Sequence, residues 1–413
     1  TIMSDYSGLL PKMLFGEDLK NTLQILPDYD SSVRNLDAGT RLIELMDIYK
    51  VFVPQNLSLE IYTKLYMMTV MSLQQKGTVE ATKQLNANHR AMTENKEYKG
   101  IITGASSCTV IGPSGCRKTT SVQRAVEMLG GTITNTQPYR KIIPALIVST
   151  PFDANYRGLL LQILLSVDNE LDTDYYKAAC KSNVNAQQIL GMVCQVAHLH
   201  IGTLILDEIQ FLVQHRAGTT LYKMILQLIN ASGISVMMVG TEECLDYFDQ
   251  APQMARRTTG LQYRNMDYDV KFKELCQELF SRQYTKNVSE LTEGIFVWLY
   301  EHSAGNIANL TSLIHDAQEL SIMDGSECLD ITSLTKAYNQ RMQMLHGYIE
   351  QKKSNRKKTS SKPTSSITVL EQIETKVTAT DVTIAEIAGI IKNKDLNAIE
   401  TYRKHFNVEE VVV

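Results

Sequence analysis

The sequence predicts an α/β fold in which a parallel sheet is flanked by helices, with a small α-helical lid behind it. Three observations support this prediction. A glycine-containing turn joins a short apolar run to a helical segment, a second apolar run ends in two acids, and four helical stretches lie between Val270 and Met344. Continuous apolar runs are typical of parallel strands, because helices cover both faces of such a sheet.

The turn after the first strand has the pattern of a phosphate-binding P-loop. The strand is the apolar run Cys108–Ile111, and helical spacing follows from Ser121 to Leu129. Backbone N–H groups of such a turn and the positive end of the helix dipole hold a polyphosphate. We expect Lys118 to reach the β- and γ-phosphates of ATP and Thr119 to ligate Mg²⁺. The residues expected around the nucleotide are Gly112, Pro113, Ser114, Gly115, Cys116, Arg117, Lys118, Thr119 and Thr120.

Arg117 departs from the P-loop pattern. The pattern G-x-x-x-x-G-K-[ST] has glycine at this position, whereas here the nearest glycine is Gly115, two positions earlier. A side chain at this position is compatible with the turn. We expect it to affect nucleotide entry or the rate of hydrolysis more than ATP binding.

The second apolar run, Leu204–Leu206, ends in Asp207 and Glu208. Two acids at the end of a buried strand, following a P-loop, indicate an ATPase. We expect Asp207 to hold the Mg²⁺ shell and Glu208 to polarise the attacking water. A further buried strand, Ser235–Val239, leads to Thr241, which we expect to sense the γ-phosphate and orient that water.

An arginine doublet, Arg256–Arg257, follows this last strand. Its position suits an arginine finger that reaches the γ-phosphate of a neighbouring subunit, an effect of ~10³–10⁵ on rate. The sequence does not distinguish between the two arginines, and a solvated surface pair is the alternative.

Composition limits the classes of partner. With 44% apolar residues, a net charge of −4 and a pI near 6.1, the chain has no global attraction to nucleic acid. DNA contact must therefore come from local basic residues or from repetition in an oligomer. The seven cysteines form no C-x-x-C pair, which indicates reduced thiols. No apolar run approaches ~18 residues, so we expect a cytoplasmic protein with no membrane contact.

Two stretches combine aromatic and basic residues. Tyr139–Lys141 is expected to be a turn before the buried strand Ala145–Thr150, and Tyr156–Arg157 precedes a helix. Such residues contact nucleic-acid backbones, although solvated turns are the alternative. The candidates for DNA binding are Arg140, Lys141, Tyr156 and Arg157.

We predict four segments: a mostly helical extension (1–97), an α/β core (98–268), a helical lid (269–348), and a basic linker with a tail (349–413). Residues 1 to about 55 are either a docking arm for a partner or a layer packed on the domain behind them. Ile101 or Ile102, just before the first strand, is a candidate for contact with the base. In the lid, Asn306 suits an N-cap. No arginine lies near it in the sequence, so we predict no lid arginine that contacts the nucleotide.

Taken in order, these motifs resemble the TnsC/TniB AAA+ regulators of DNA transposition. The resemblance covers about residues 98 to 345 and is carried by the P-loop and by four further segments. These segments read FDANYRGLLLQIL, TLILDEIQFL, SVMMVGTEE and ARR. The DEIQFL piece is the most specific, because many ATPases share the P-loop.

The resemblance implies an ATPase with ATP and Mg²⁺ that forms a homo-oligomeric ring or helical filament on double-stranded DNA. It implies that this assembly joins a TnsD/TniQ-type target selector, with or without an RNA-guided complex, to a TnsB-type transposase, with a TnsA-type endonuclease as a further candidate. Slow, regulatory ATP turnover would then dismantle the assembly. Arg256 or Arg257 would be the finger that acts on the neighbouring subunit.

Two other functions remain open from the sequence. A replication initiator or helicase loader would share the sheet, the acids and the finger. A winged-helix DNA-binding domain after the lid would favour this function over transposition. A nucleotide-gated switch that binds proteins and no DNA would leave the basic stretches as inert surface.

Overall fold

The computed structural model describes residues 7–76, 78–80, 83–84, 86–87, 90, 106–136, 139–152, 156–181, 184–213, 218–245, 258–347 and 349. Contacts within the chain divide it into two units, Thr1–Ile349 and Glu350–Val413. All described residues belong to the first unit, so the basic linker and tail lie outside them. None of the described helices is both long enough and apolar enough to span a membrane.

A six-stranded sheet lies at the centre of the described unit, with the strand order β2-β3-β4-β5-β1-β6. All neighbouring strands run parallel except β2, which is antiparallel to β3. Because β5 lies between β1 and β4, the carboxyl ends of these three strands meet at one edge of the sheet. The strands are β1 Ser107–Ile111, β2 Ile133–Thr136, β3 Tyr139–Ser149, β4 Ile201–Asp207, β5 Ser235–Gly240 and β6 Thr258–Gln262.

The strands differ from the sequence prediction in two places. Tyr139–Lys141, predicted as a turn, lies in β3, because β2 pairs with the first part of that strand from Thr136↔Tyr139 to Ile133↔Ile142. β6, which was not predicted, pairs with β1 from Ser107↔Thr258 to Ile111↔Gln262. Its sequence, TTGLQ, has no continuous apolar run, so only pairing in the sheet identifies it.

Helices cover both faces of the sheet and form the lid. Residues 170–200 contain the end of one helix and two further helices with a break between them. The helices are α1 Gly16–Leu23, α2 Ala38–Leu45, α3 Asn56–Lys76, α4 Lys118–Met128, α5 Tyr156–Leu171, α6 Tyr175–Ala179, α7 Ala186–His200, α8 Gln210–Val213, α9 Gly218–Ser232, α10 Val270–Phe280, α11 Glu293–Ser303, α12 Ile307–Asp324 and α13 Ile331–Arg341.

The N-terminal segment, residues 7–55, packs on both the core and the lid. Leu19, Leu23 and Phe52 join the buried cluster that contains β1 and α3. Leu45 and Val51 belong to a second cluster with the lid helices. This outcome matches the packing alternative of the sequence analysis, since the apolar side chains of the segment are buried within the chain itself.

A buried ion pair fastens the N-terminal segment to the lid. The Arg41 side chain is 1% exposed, and its guanidinium donates to both carboxylate oxygens of Glu327 at 2.6 and 2.7 Å. It also donates to the Tyr284 carbonyl at 2.9 Å. A bidentate, charge-assisted pair of this kind fixes geometry strongly. The pair therefore holds this part of the N-terminal segment against the lid.

Candidate nucleotide site

The P-loop follows β1 and ends at the first residue of α4. Gly115 and Arg117 both have left-handed backbone conformations, with φ of +79° and +65°. The Lys118 ammonium is 9% exposed and donates to the Gly112 and Pro113 carbonyls at 2.9 Å each. The loop thus wraps around the lysine that the sequence assigns to the phosphates. Burial raises the pKa of the neighbouring Cys116 thiol, which therefore stays protonated.

The predicted Mg²⁺ ligands lie together. The Thr119 hydroxyl donates to Asp207 Oδ2 at 2.8 Å across 88 residues of sequence. Asp207 is 5% exposed, and its Oδ1 accepts from the Glu208 N–H at 2.9 Å. A hydroxyl and a carboxylate are the oxygen ligands that Mg²⁺ prefers. This contact arises because β1 and β4 are parallel and end at the same carboxyl edge of the sheet.

A glutamine links the two residues expected to act on water. Gln210 is 7% exposed; its side-chain amide donates to the Glu208 carboxylate, and its Oε1 accepts from the Thr241 N–H at 3.3 Å. Glu208 has a φ of +59°, a conformation that costs a residue with a side chain of order 1–2 kcal/mol. The strained turn and Gln210 together set the direction of the Glu208 carboxylate.

The site fits a nucleotide phosphate with its metal ion. The Thr241 Oγ1 atom is buried and has no hydrogen-bond partner among the described residues, and such a group costs free energy until a ligand satisfies it. It lies on the backbone that Gln210 ties to Glu208. The oxygen pair of Thr119 and Asp207 supplies the metal donors. These features are the ones a bound ATP and Mg²⁺ would use.

The lid contacts the opposite side of the P-loop. Asn306 caps α12 by accepting from the Ala308 and Asn309 N–H groups, and its Nδ2 donates to the Ser114 carbonyl at 2.8 Å. The Ala308 N–H also donates to the Gly115 carbonyl at 3.1 Å. A Cβ at Gly115 would lie 2.6 Å from Asn306 Oδ1. Glycine is therefore required there for contact with the lid as well as for its φ.

A cavity of about 510 Å³ opens beside the start of α4. Its size lies within the range of small-molecule and cofactor sites. Three parts of the chain line it: the N-terminal segment, the P-loop with its helix, and the lid. The lining residues are Ile25, Tyr49, Lys50, Phe52, Arg117, Thr120, Ala308, Thr311 and Ser312. Ile101 and Ile102, predicted to contact the base, lie outside the described residues.

Arg256 and Arg257 also lie outside the described residues, and the arginine finger stays a prediction. The DNA candidates lie within them but do not form one surface. Arg140 and Lys141 lie near the start of β3, whereas Tyr156 and Arg157 begin α5 beyond its end. Eight residues of strand separate Lys141 from Ser149, or about 26 Å at the usual rise.

Some of these candidates also make contacts within the chain. Tyr156 packs against the core cluster of α5 and α7, and Arg157 donates to the Val184 carbonyl at 2.8 Å. Lys141 donates to the Leu171 carbonyl at 3.2 Å. Their role in DNA binding stays a prediction.

Sequence reasoning missed two participants. Gln210 belongs to the DEIQFL piece, but only the fold shows that its amide bridges Glu208 and Thr241. The N-terminal residues Tyr49, Lys50 and Phe52 line the cavity, although they lie far before the P-loop in the sequence. In the sequence, Gln210 shows as a polar side chain two positions after Glu208. Nothing in the sequence marks the cavity residues.

The strand order, the P-loop and the paired acids define an ATPase of the P-loop AAA+ class. Residues 77–266 match the family model described as "TniB: Bacterial TniB protein". This segment, somewhat less than half of the chain, is similar to the TniB family, in agreement with the resemblance seen in the sequence.

Solved structures with some likeness include ORC proteins from Aeropyrum pernix. ORC1 in complex with DNA is 14% identical, with 76% of this chain and 82% of that chain covered and a TM-score of 0.43. ORC2 with ADPNP and ADP is 15% identical, with 65% and 69% covered and a TM-score of 0.40. At these TM-scores the likenesses carry no argument about this chain. The comparison with curated proteins gave no match.

Proposed function

We propose that this protein is an ATP-dependent platform for DNA transposition. In this proposal it oligomerises on double-stranded target DNA and links a TnsD/TniQ-type selector to a TnsB-type transposase, and ATP hydrolysis promotes disassembly. The single observation that supports nucleotide chemistry most directly is the 2.8 Å contact between Thr119 and Asp207 at the sheet edge. The TniB family match supports the assignment to transposition.

The site residues divide the work by position. The P-loop N–H groups and the Lys118 ammonium would bind the phosphates, and the Thr119 hydroxyl and the Asp207 carboxylate would hold Mg²⁺. When bound, the metal neutralises charge on the phosphates during transfer. Glu208 accepts a proton from the attacking water, and Gln210 directs its carboxylate. The Thr241 hydroxyl, buried without a partner, donates to the γ-phosphate or to that water.

The oligomer rests on two groups of residues. Arg256 or Arg257 would reach the nucleotide of the adjacent subunit, and nucleotide binding would then be coupled to assembly. Arg140, Lys141, Tyr156 and Arg157 would supply DNA contacts, of which each subunit offers few. Repetition along a filament neutralises many phosphates despite the net charge of −4.

Electron microscopy of the purified protein with duplex DNA tests the proposal. Rings or filaments are expected with a non-hydrolysable ATP analogue and not without nucleotide. Lys118→Ala should abolish them, whereas Lys12→Ala, an exposed lysine far from the P-loop in sequence, should leave them intact. Dispersed protein under all conditions would contradict the platform and favour a nucleotide-gated switch that binds proteins only.

A second arm separates transposition from replication functions. The protein should accelerate strand transfer by its cognate TnsB-type transposase on DNA only when ATP is present. Loading of a hexameric helicase without any effect on the transposase would instead indicate an initiator or loader.

A further inference from the structure

Arg117 occupies a position where the backbone favours glycine. Its φ of +65° and ψ of +32° are left-handed, and it directly precedes the first residue of α4. This conformation costs a residue with a Cβ of order 1–2 kcal/mol. Strained residues persist where surrounding contacts compensate for the cost, and they concentrate at functional sites.

The guanidinium of Arg117 points away from the acids and touches two distant parts of the chain. Its Nη1 donates to the Val51 carbonyl, 66 residues away in the N-terminal segment. Its Nη2 lies 3.4 Å from the Thr311 hydroxyl, 194 residues away on α12 of the lid. Burial lowers the pKa of this guanidinium, but arginine keeps its charge in proteins. One cation thus joins the P-loop, the N-terminal segment and the lid.

The same three parts enclose the cavity described above. Tyr49 and Phe52 come from the N-terminal segment, Thr120 from α4, and Ala308 from the lid, and Arg117 is itself part of the lining. The cavity lies beside the P-loop, because Arg117 and Thr120, which flank Lys118 and Thr119 in the chain, both line it. A nucleoside attached to phosphates in the P-loop would occupy it.

The remaining contacts between the lid and the P-loop do not reach the N-terminal segment. Asn306 donates to the Ser114 carbonyl, and the Ala308 N–H donates to the Gly115 carbonyl. Arg117 adds a third contact to the lid and also binds Val51. Movement of either the lid wall or the N-terminal wall away from the P-loop breaks a bond made by Arg117.

We propose that Arg117 is a positioning residue that couples the lid and the N-terminal segment to the P-loop and thereby slows nucleotide release. The proposal rests on the nucleotide binding proposed above. A hydrogen bond from a charged donor contributes about 1.5–3 kcal/mol. Loss of these contacts should therefore speed release about 10- to 100-fold. The arginine that departs from the P-loop pattern would control how long the nucleotide-bound state lasts.

Stopped-flow displacement of a fluorescent ADP analogue measures the release rate. Arg117→Gly gives the backbone its favoured residue and removes both contacts, so the variant should fold and release ADP about 10- to 100-fold faster than the wild type. Arg117→Lys keeps the charge and the strained backbone but lacks the fork that reaches two acceptors. It should also release ADP faster, by a smaller factor. Thr311→Val removes the lid acceptor alone, and its rate of ADP release should be the nearest to that of the wild type.

Hydrogen exchange distinguishes coupling between the three segments from an effect confined to the P-loop. In the wild type, ADP should protect amides of the P-loop, residues 46–52 and residues 307–312. In Arg117→Gly, protection of the P-loop should persist, while the protection that ADP adds to the two outer segments should fall. If ADP protects all three regions of the variant as it does in the wild type, coupling through Arg117 is contradicted.

The outcomes separate the two proposals. If the wild type does not bind ADP or ATP at all, the proposed function is wrong and this inference falls with it. If nucleotide binds and Arg117→Gly releases it at the wild-type rate or more slowly, only the role of Arg117 is overturned. Should Arg117→Gly fail to fold, unchanged release from both Arg117→Lys and Thr311→Val would overturn it equally.

Discussion

The P-loop has two sides that differ in how the sequence encodes them. On one side, the Thr119 hydroxyl donates to Asp207 at the carboxyl edge of the sheet. On the other side, Ser114 and Arg117 contact the lid and the N-terminal segment. The acid side consists of residue types that any P-loop ATPase needs at fixed spacing. The lid side consists of backbone carbonyls and one atypical arginine, which no motif describes.

This difference predicts that the two sides can be damaged separately. Changes on the acid side should slow turnover and leave the folded state unchanged, because the side chains there face the ligand. Changes on the lid side should alter stability or nucleotide exchange and leave the chemical step intact.

Glu208→Gln should slow ATP hydrolysis about 10²- to 10⁴-fold, since a positioned general base contributes by that factor. Steady-state phosphate release measures the rate, and electron microscopy should show assemblies that persist. Glu290→Gln, at an exposed position in the lid region, is the control and should hydrolyse ATP normally. Normal turnover in Glu208→Gln would show that another residue activates the water.

Arg41→Met should destabilise the described unit by about 3–5 kcal/mol, because it leaves the Glu327 carboxylate partly buried and unpaired. Urea denaturation measures the change. Adding Glu327→Gln removes the orphaned charge and should recover part of the loss. Arg34→Met, which removes an arginine that donates to the nearby Ser31 carbonyl and forms no ion pair among the described residues, should change stability little. A loss of hydrolysis without a loss of stability would break the separation between the two sides.

A third region, far from both sides of the P-loop, should respond to acid. Burial, with Lys76 beside it, lowers the pKa of His198 from 6.5 to about 3. The folded state therefore binds fewer protons than the unfolded chain in this window. The stabilisation is fully present above pH 6.5 and is lost as the pH falls towards 3.

At pH 4.5 the loss due to His198 should reach about 2–3 kcal/mol. In His198→Asn, the amide can still donate to the Ser232 carbonyl, which His198 Nδ1 contacts at 3.2 Å, but it does not titrate. The difference in unfolding free energy between pH 7 and pH 4.5 should therefore be smaller in the variant. An equal acid loss in both proteins would show that other groups carry it.

Gln210→Ala should lower kcat about 10-fold with little change in KM, because the glutamine touches Glu208 and the Thr241 backbone and does not touch the P-loop. Such a split indicates an interaction that matters mainly in the transition state. Thermal unfolding serves as the control for damage to the fold. A rise in KM at constant kcat would instead place Gln210 in nucleotide binding.

The sequence alone determined the acid side of the site. A P-loop needs Lys118 and Thr119 at adjacent positions, and a buried strand ending in Asp207 and Glu208 shows as an apolar run. Local patterns of this kind survive in any fold that uses them. The four lid helices and the Asn306 cap were also predictable, because periodicity and capping depend on neighbours in sequence.

Only the tertiary structure decided what surrounds that site. Arg117 contacts Val51 and Thr311 across 66 and 194 residues of sequence. The strand β6 forms because it pairs with the side of β1 that β5 does not occupy. Contacts between residues so far apart in sequence depend on how the elements pack, which no local pattern records. The physical reason is the same for the cavity: its walls come from three segments that meet only after the sheet, the N-terminal segment and the lid have assembled.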